Sequence, residues 1–222
     1  MSSALPTRSV VVEGLFAGAV AAAELRGPGD PSRLFAAERA RHEHWAAKRI
    51  DEFSAGRQCA HAALSQLGVE PVPLLPLPDR RPAWPEGVVG SISHCRGFST
   101  AVVARATHWR AIGIDVERAR AVEPHLWPRI LTDAEQARVV AQPPELRLQW
   151  ATLVFSAKEA FYKCQYAVRQ QWVDFHDAEV EFSPPTAPGA VLQLRVVAPG
   201  IELAGRGVVR DEFVLTGFAW EQ

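Results

Sequence analysis

The stretch Phe155-Ser156-Ala157-Lys158-Glu159-Ala160-Phe161-Tyr162-Lys163 is the most informative part of this sequence. Its significance depends on an earlier segment, Gly113-Ile114-Asp115-Val116-Glu117. Together the two segments supply three carboxylates and two lysines, a set of charges suited to a metal ion and a phosphate group. Either segment alone is a weak signal, because short charged motifs also occur on ordinary solvated surfaces.

The earlier segment has the alternating pattern of a half-buried β-strand. Ile114 and Val116 would face a core, whereas Asp115 and Glu117 would share the opposite face. Two carboxylates at one spot suit Mg²⁺, which usually takes one or two of them and completes its shell with water and phosphates. No His-rich or Cys-rich spacing lies nearby, so zinc is not expected. The structural alternative is a strand that presents an acidic face to solvent.

The later segment is predicted to form a helix. Glu159 and Lys163 lie four residues apart and would share one exposed side, with Lys158 and Tyr162 beside them. Two structural alternatives remain: Ser156 and Glu159 match a capping box, and Glu159 with Lys163 is an ordinary helix pair worth about 0.2–0.5 kcal/mol. The predicted buried stripe consists of four small or apolar residues, Ala157, Ala160, Phe161 and Cys164.

A third segment, Gly90-Ser91-Ile92-Ser93-His94-Cys95-Arg96-Gly97-Phe98, precedes the apolar run Ala101–Ala104. Small residues let a ligand approach the backbone closely. Ser91, Ser93 and His94 can donate hydrogen bonds to phosphate oxygens. A single histidine in a strand more often has a structural role, so only the other two segments favour a functional one here.

Taken in chain order, residues 90–98, 113–117 and 155–163, the three segments resemble the 4'-phosphopantetheinyl transferases of the surfactin and enterobactin synthetase type. That family is characterised by Gly-Ser-x-(Ser/Thr)-His, then Gly-Ile-Asp-x-Glu, then (Phe/Trp)-Ser-x-Lys-Glu-x-x-x-Lys. Ser93 replaces the commoner threonine here, and Phe155 stands where many members have tryptophan. Lys48–Ala60 also resembles the helix of the enterobactin branch, and Pro82–Pro85 resembles its Pro-x-Trp-Pro turn.

The resemblance implies an α/β (α+β) fold of two similar halves in a pseudo-twofold arrangement, with coenzyme A in the cleft between them. The implied reaction transfers the 4'-phosphopantetheine arm of coenzyme A to a serine of an apo acyl or peptidyl carrier protein and releases 3',5'-ADP. Positioning and charge neutralisation supply most of the catalysis in phosphoryl transfer. The carrier could belong to fatty-acid, polyketide, nonribosomal peptide or siderophore biosynthesis.

The same resemblance implies roles for individual side chains. Mg²⁺ would be held by three carboxylates, Asp115, Glu117 and Glu159. The catalytic group would comprise Asp115, Glu159 and Lys163, although it stays open which group removes the serine proton. The phosphate oxygens would be contacted by four side chains, Ser93, His94, Lys158 and Lys163.

Two pairs of arginines are candidates for binding the nucleotide. Arg49 and Arg57 are separated along a predicted helix by roughly 12 Å, a span that two guanidinium groups could close around one phosphorylated nucleotide. The resemblance makes them candidate ligands of the 3'-phosphate, whereas the structural alternative pairs them with surface acids such as Glu52. Arg80 and Arg81 lie where relatives place a glycine or lysine beside the adenine, and the sequence does not say which of them contacts it.

Composition limits the class of protein. The 222 residues suffice for one compact unit or two small fused halves, and a net charge of -1 argues against a nucleic-acid binder. Three irregularly spaced cysteines favour reduced thiols and a cytoplasmic location over a disulfide framework. The apolar stretch Val10–Ala23 is interrupted by Glu13 and is too short and too rich in Gly and Ala to span a bilayer, so no membrane association is expected.

The remaining elements follow from periodicity and from turn residues. Strands are predicted at Val10–Val12 and Ala19–Leu25, and a helix from Leu34 to Leu67 that stops at Gly68. Six prolines between Glu70 and Gly87 exclude regular structure there. The segment Thr132-Asp133-Ala134-Glu135 is a capping box that opens another helix.

The order of a long basic helix followed by Val-rich strands occurs twice, which indicates a degenerate duplication. We expect residues 1–112 to form the half on the nucleotide side and residues 113–222 to form the half with the metal and the catalytic helix. Gly113 would mark the boundary. Two halves in one chain would complete the cleft, so a monomer is expected.

Two other classes of function could use the same residues. One is a magnesium-dependent phosphohydrolase, and the other is a non-catalytic module that binds coenzyme A or a carrier protein. A hydrolase needs a positioned water, whereas Phe161 and Tyr162 favour the exclusion of water. Ligand capture alone would not require three carboxylates.

Overall fold

The computed structural model describes residues 4–42, 44–183, 189–210 and 212–222. Within these ranges the strands form two antiparallel sheets. The first sheet has the order β1-β2-β4-β3, with strands Thr7–Arg8 (β1), Ala21–Arg26 (β2), Val88–Cys95 (β3) and Phe98–Arg105 (β4). The second has the order β5-β9-β8-β7-β6, with strands Trp109–Arg118 (β5), Glu179–Phe182 (β6), Leu192–Ala198 (β7), Ile201–Arg210 (β8) and Phe213–Glu221 (β9).

One long helix packs on each sheet. The α-helices are Ala36–Arg39 (α1), Ala47–Gln66 (α2), Trp127–Ile130 (α3), Asp133–Val140 (α4) and Pro144–Arg169 (α5). Helix α2 lies on the first sheet and α5 lies on the second. The predicted α/β (α+β) class, with two α/β halves, is therefore confirmed.

The core has three parts, and each follows from the apolar alternation of the strands. One lies between α2 and the first sheet and contains Leu64, Ala101 and Val103. A second lies under α5, around Phe161 and Phe218. The third unites the two sheets and includes the inward residues of β5, which are Ile112, Ile114 and Val116. Fully burying one such side chain stabilises the fold by about 1.5–3 kcal/mol.

The N-terminal strand prediction was wrong in its first part. Val10–Val12 form turns rather than a strand, because Val11 and Val12 are buried together against the core between the sheets instead of alternating in and out. The N-terminal strand that pairs with β2 is instead Thr7–Arg8. The second predicted strand is present as β2, although it begins at Ala21.

The predicted helix Leu34–Leu67 is interrupted between α1 and α2. Glu38, at the end of α1, is fully buried and accepts hydrogen bonds from the backbone N–H of Leu74 and from His61 of α2. These bonds hold α1 against α2, so the two helices cannot be collinear. The predicted end of α2 is confirmed, because Gly68 follows it with a φ of 72°, which suits a helix C-terminus.

Several other sequence predictions are confirmed. The proline-rich segment 70–87 has little regular structure apart from an isolated bridge between Pro76 and Pro82. Thr132 and Glu135 form both hydrogen bonds of the capping box that opens α4. In the described ranges, no helix combines the length and the apolar character that crossing a membrane requires.

The proposed boundary residue Gly113 lies in the middle of β5, which begins at Trp109. A Cβ atom at Gly113 would lie 2.0 Å from the carbonyl oxygen of Ala160 and 2.7 Å from the backbone nitrogen of Cys164. Glycine is therefore required there because α5 crosses directly over the backbone of β5. This close approach brings α5 to the residues described next.

Candidate active site

The two sheets meet where their edge strands β3 and β5 lie side by side, a junction that we call the seam. Serine hydroxyls bridge the two strands here. The backbone N–H of Ile114 donates to Ser91 Oγ at 3.1 Å, and that of Val116 donates to Ser93 Oγ at 3.3 Å. The Gly-Ser-x-Ser-His segment of one half is thus joined directly to the Gly-Ile-Asp-x-Glu strand of the other.

Asp115 is the most unusual residue of the seam. It is only 3% exposed, and its Oδ1 accepts hydrogen bonds from Ser93 Oγ at 2.9 Å and Lys163 Nζ at 2.8 Å. Its Oδ2 is buried without a hydrogen-bond partner among the described residues. A buried carboxylate oxygen without a partner costs about 1–3 kcal/mol or more. Such an atom is a suitable ligand for a cation.

Lys163 reaches the seam from α5 because of the close approach at Gly113. Its ammonium group donates to Asp115 Oδ1, to Ser93 Oγ at 3.2 Å and to the carbonyl oxygen of Ile114 at 3.1 Å. The predicted convergence of the helix motif and the strand motif is therefore present. Asp115, Ser93 and Lys163 form one hydrogen-bonded cluster.

Two more carboxylates border this cluster. Burial raises the pKa of Glu117 to about 7; the charges of Asp115 and Glu159 also raise it, and Lys163 opposes them. Burial also raises the pKa of Glu159, with a smaller contribution from Asp115 and opposition from Lys163. The three carboxylates thus concentrate negative charge that Lys163 alone does not neutralise.

The donor set fits Mg²⁺ better than a transition metal, because it consists of carboxylate oxygens. Within the described ranges, no three His, Cys, Asp or Glu side chains are already gathered into a metal centre. That is compatible with Mg²⁺, which commonly takes only one or two protein carboxylates and fills its shell with phosphates and water.

His94 lies on β3, next to Ser93, and its side chain is exposed. Partial desolvation lowers its pKa below the usual 6.5; Lys163 and Lys48 add to this effect, and Glu52 and Asp115 oppose it. The ring is therefore mostly neutral at neutral pH. It can donate one hydrogen bond to a ligand at the mouth of the seam.

Two sequence assignments need correction. Lys158 does not reach the seam: it is 2% exposed, and its ammonium donates to Ile130 O at 2.9 Å, to Glu135 Oε2 at 2.6 Å and to Phe175 O at 2.6 Å. Those three acceptors use all of its N–H groups, which leaves none for a phosphate. The hydroxyl of Ser93 has likewise committed its one donor and two acceptors, so it positions Asp115 instead of binding phosphate.

The capping-box alternative for Glu159 is also wrong. Ser156 lies in the interior of α5, whose first residue is Pro144, and its hydroxyl shares a hydrogen bond of 2.9 Å with Thr216 on β9. Glu159 is therefore not needed to cap a helix. The predicted buried stripe of this helix is confirmed, since Ala157, Ala160, Phe161 and Cys164 are all buried.

The two arginines of α2 have different environments. Arg49 is exposed and lies 4.6 Å over the ring of Trp45. Arg57 is buried, lies 4.4 Å over the ring of Phe53, and donates from Nε to Leu74 O at 2.7 Å. Burial lowers the pKa of Arg57 to about 10, although the charge of Glu38 opposes that shift. Arg57 thus holds the proline-rich segment in place whatever else it binds.

Arg80 and Arg81 can now be distinguished. Arg80 is exposed at the tip of the proline-rich segment, with a φ of 72°. Arg81 pairs with Asp79 at 2.7 Å and donates to the carbonyl oxygen of Ala167 on α5 at 3.3 Å. Arg81 therefore already has partners in both halves, and Arg80 is the better placed of the two to meet a ligand.

A cavity of about 600 Å³ lies between this segment and α5. Its lining includes Arg80, Trp84, Tyr162, Lys163, Tyr166 and Trp172. The aromatic wall was not predicted from the sequence, although the spacing of Tyr162 and Tyr166 places both rings on one helix face, where they stack with centroids 5.3 Å apart. Another cavity, of about 660 Å³, is lined by Val11, Trp150 and Phe182 and by none of the motif residues.

Comparisons with known proteins agree with these features. A model described as the 4'-phosphopantetheinyl transferase N-terminal domain matches residues 37–104, and one described as the 4'-phosphopantetheinyl transferase superfamily matches residues 111–201. The 4'-phosphopantetheinyl transferase Svp of Streptomyces mobaraensis is 38% identical over 183 residues, which cover 81% of this chain and 72% of Svp.

Two further relatives extend the comparison. The 4'-phosphopantetheinyl transferase Npt of Nocardia iowensis is 29% identical over 227 residues, covering 95% of this chain and all of its own length (100%). Enterobactin synthase component D of Salmonella typhi is 40% identical over 119 residues, 52% of this chain and 48% of its own.

The family matches to both halves, together with the two-sheet α/β fold and the charged side chains joined across its seam, assign the chain to the phosphopantetheinyl-transferring class of enzymes. The chain belongs to the 4'-phosphopantetheinyl transferase family, of the holo-acyl-carrier-protein synthase type. The resemblance of its three motifs to that family is confirmed.

Proposed function

We propose that this enzyme transfers the 4'-phosphopantetheine arm of coenzyme A to a serine of an apo acyl or peptidyl carrier protein, in a Mg²⁺-dependent reaction that releases 3',5'-ADP. The observation that carries the proposal is the unpartnered, buried Oδ2 of Asp115 beside Lys163, at the seam between the two halves. Two further carboxylates with raised pKa values border that atom.

Asp115, Glu117 and Glu159 would hold Mg²⁺, and bound Mg²⁺ would neutralise charge on the pyrophosphate of coenzyme A. The concentration of negative charge supports this assignment, because burial and mutual repulsion make it costly without a cation. The family membership supports coenzyme A as the substrate.

The chain's own residues have distinct tasks in the transfer. His94 would donate to a pyrophosphate oxygen at the mouth of the seam, and Ser93 would keep Asp115 oriented. The three N–H groups of Lys163 are bound within the seam, but its side chain is 29% exposed, so it would exchange one of those bonds for a pyrophosphate oxygen. The serine Oγ of the carrier attacks the β-phosphorus, its proton leaves, and the bond from that phosphorus to the oxygen of 3',5'-ADP breaks. Glu159 would take the proton if it stays free of Mg²⁺, because burial then keeps its pKa raised and makes it a stronger base than an ordinary glutamate.

The cavity beside Lys163 suits the nucleotide end of coenzyme A. Trp84 and Tyr166 offer aromatic surface for a base, and Arg80 offers a guanidinium group for a phosphate. Arg49 and the terminal guanidinium nitrogens of Arg57, both on α2, would donate hydrogen bonds to the 3'-phosphate of coenzyme A. One chain supplies both halves of the seam, which supports a monomer as the active unit. The free thiols of the three cysteines support a cytoplasmic location.

The carrier most worth testing first is a peptidyl carrier domain from siderophore biosynthesis, since several relatives are enterobactin synthase components. The purified chain would be incubated with the apo carrier, coenzyme A and Mg²⁺, and the carrier would be weighed by intact mass spectrometry. We expect the mass of one phosphopantetheine to be added, and chelation of Mg²⁺ to prevent it. Cleavage of coenzyme A without any change in the carrier would instead indicate the phosphohydrolase.

A further inference from the structure

The turn between β3 and β4 consists of Arg96 and Gly97 and begins two residues after the site residue His94. Gly97 has a φ of 76°, and Arg96 is not among the described residues with positive φ. Two-residue hairpins favour turns with positive φ at the first or at both central positions, because those turns match the twist of the strands. Among its two central residues this turn has a positive φ only at the second, so the twist of the strands favours it less and contacts from outside the hairpin can stabilise it.

Arg118 supplies that support from the other half of the molecule. It is the last residue of β5, directly after Glu117, and both Nε and Nη2 donate to the carbonyl oxygen of Arg96, at 3.1 and 2.6 Å. Its guanidinium lies 4.7 Å over the ring of Phe213 and pairs with Glu212. The contact crosses the seam at the end nearest the carboxylates.

The packing beneath Arg118 explains why the guanidinium is held in one place. Phe213 of the second sheet lies 4.6 Å from Phe98 of the first, and both rings are buried in the core between the sheets. Arg26 also lies over both rings, at 5.3 and 5.5 Å from their centroids. The guanidinium of Arg118 therefore packs on buried aromatic rings, and from there its planar fork reaches the carbonyl oxygen of the turn.

We propose that Arg118 is a positioning residue for the transfer reaction. It holds the Arg96–Gly97 turn against the end of β5, and it thereby keeps His94 in register with Asp115 and Glu117 across the seam. The proposal rests on the proposed function for its kinetic consequence. Its structural part, the clasp on the turn, can be measured without any activity.

Cys95 offers a native reporter of the clasp. It lies between His94 and Arg96 and is half-buried against the core between the sheets, whereas Cys59 and Cys164 are fully buried. Peptide mapping after iodoacetamide treatment distinguishes the three thiols. We expect Arg118→Lys, which keeps the positive charge that counteracts the burial-raised pKa of the Cys95 thiol, to speed alkylation of Cys95 by about 5-fold or more, because the turn would open locally more often.

Arg138 gives a matched control. It also binds one carboxylate and one backbone carbonyl, those of Glu179 and Val180, each at 3.1 Å, but all three residues lie in the second half. Arg138→Gln should therefore lower stability comparably while leaving Cys95 alkylation at the wild-type rate. Arg118→Lys keeps the charge but cannot make the forked contact. Arg118→Gln also removes the charge that counteracts the burial-raised pKa of the Cys95 thiol, so it is compared with wild type by kinetics alone.

Kinetics complete the test. We expect kcat/KM for coenzyme A to fall by about 10-fold in Arg118→Gln and Arg118→Lys and to stay within about 2-fold of wild type in Arg138→Gln. Unchanged Cys95 alkylation in Arg118→Lys would overturn the proposal, as would wild-type kcat/KM in Arg118→Lys or a loss confined to the KM for the carrier. If the wild type transfers nothing, the proposed function fails, yet faster Cys95 alkylation would still support the clasp.

Discussion

At the scale of single residues, the site is defined by charges that are poorly compensated where they are buried. Asp115 is nearly inaccessible and anchors both Ser93 and Lys163, which excludes for this residue the alternative of a strand that presents an acidic face to solvent. Removing its carboxylate by Asp115→Ala would leave those partners unsatisfied. Asparagine is the better test of its role, because it preserves the shape and one acceptor.

Glu117 allows a prediction about pH. Its folded pKa of about 7 lies above the ordinary 4.5, so its contribution to stability is fully present below pH 4.5 and is lost as the pH rises through 7. In the presence of a chelator, Glu117→Gln should raise the melting temperature at pH 8 by about 2–4 °C, for a gain of roughly 1 kcal/mol. The gain should shrink by pH 5. Thermal unfolding at pH 5 and pH 8 measures this difference in melting temperature, and the exposed Glu70→Gln serves as control. A gain of equal size at the two pH values would contradict the prediction.

Arg57 has two tasks that substitution can separate. Its bond to Leu74 predicts that Arg57→Ala lowers stability by about 1.5–3 kcal/mol, the usual value for a hydrogen bond to a charged group. Its proposed contact with the 3'-phosphate predicts a larger loss of affinity for coenzyme A than for 3'-dephospho-coenzyme A. Exposed Arg49→Ala should show the same selectivity without the loss of stability. Calorimetry with both ligands decides this, and equal losses for the two would leave Arg57 with the structural task alone.

At the scale of elements, α5 determines which motif residues reach the seam. Successive helix residues point about 100° apart, so Lys158 and Glu159 cannot face the same side. Glu159 and Lys163 face β5, while Lys158 turns toward α4 and is paired there with Glu135. The spacing of Glu159 and Lys163 was sufficient to predict their shared side. The direction of Lys158 could not be predicted, because it depends on a partner 23 residues away in the sequence.

The buried pair yields a prediction at this scale. Lys158→Met leaves Glu135 charged and unpaired in the core, which should destabilise the fold by about 3–5 kcal/mol. Lys158→Met combined with Glu135→Gln removes both charges, so it should recover a substantial part of that stability. We expect turnover to recover in parallel, measured at a temperature where both variants are folded. Recovery of stability without recovery of turnover would show that Lys158 touches the substrate after all.

At the scale of the whole molecule, the active site is a consequence of how two sheets are joined. The motifs could be predicted because each occupies one short segment, in which alternation or helical spacing orders the side chains. The way the two sheets join could not be predicted. The hydroxyls of Ser91 and Ser93 bridge β3 to β5, and a contact between two strands so far apart in the sequence produces no periodic pattern within either strand. Contacts between distant segments also explain two wrong predictions. Ser93 was assigned to phosphate because its partners on β5 and α5 could not be foreseen, and the break between α1 and α2 was not predicted because it depends on the bonds of Glu38 to His61 and Leu74.

The most direct test of the proposed magnesium site is calorimetry of coenzyme A binding to the wild type and to Asp115→Asn, each with Mg²⁺ and with a chelator. We predict that Mg²⁺ tightens binding to the wild type by about 10-fold or more, equivalent to 1.4 kcal/mol, and that Asp115→Asn, still folded by circular dichroism, loses this gain. A wild-type affinity that does not respond to Mg²⁺, or a full magnesium effect in Asp115→Asn, would contradict the account.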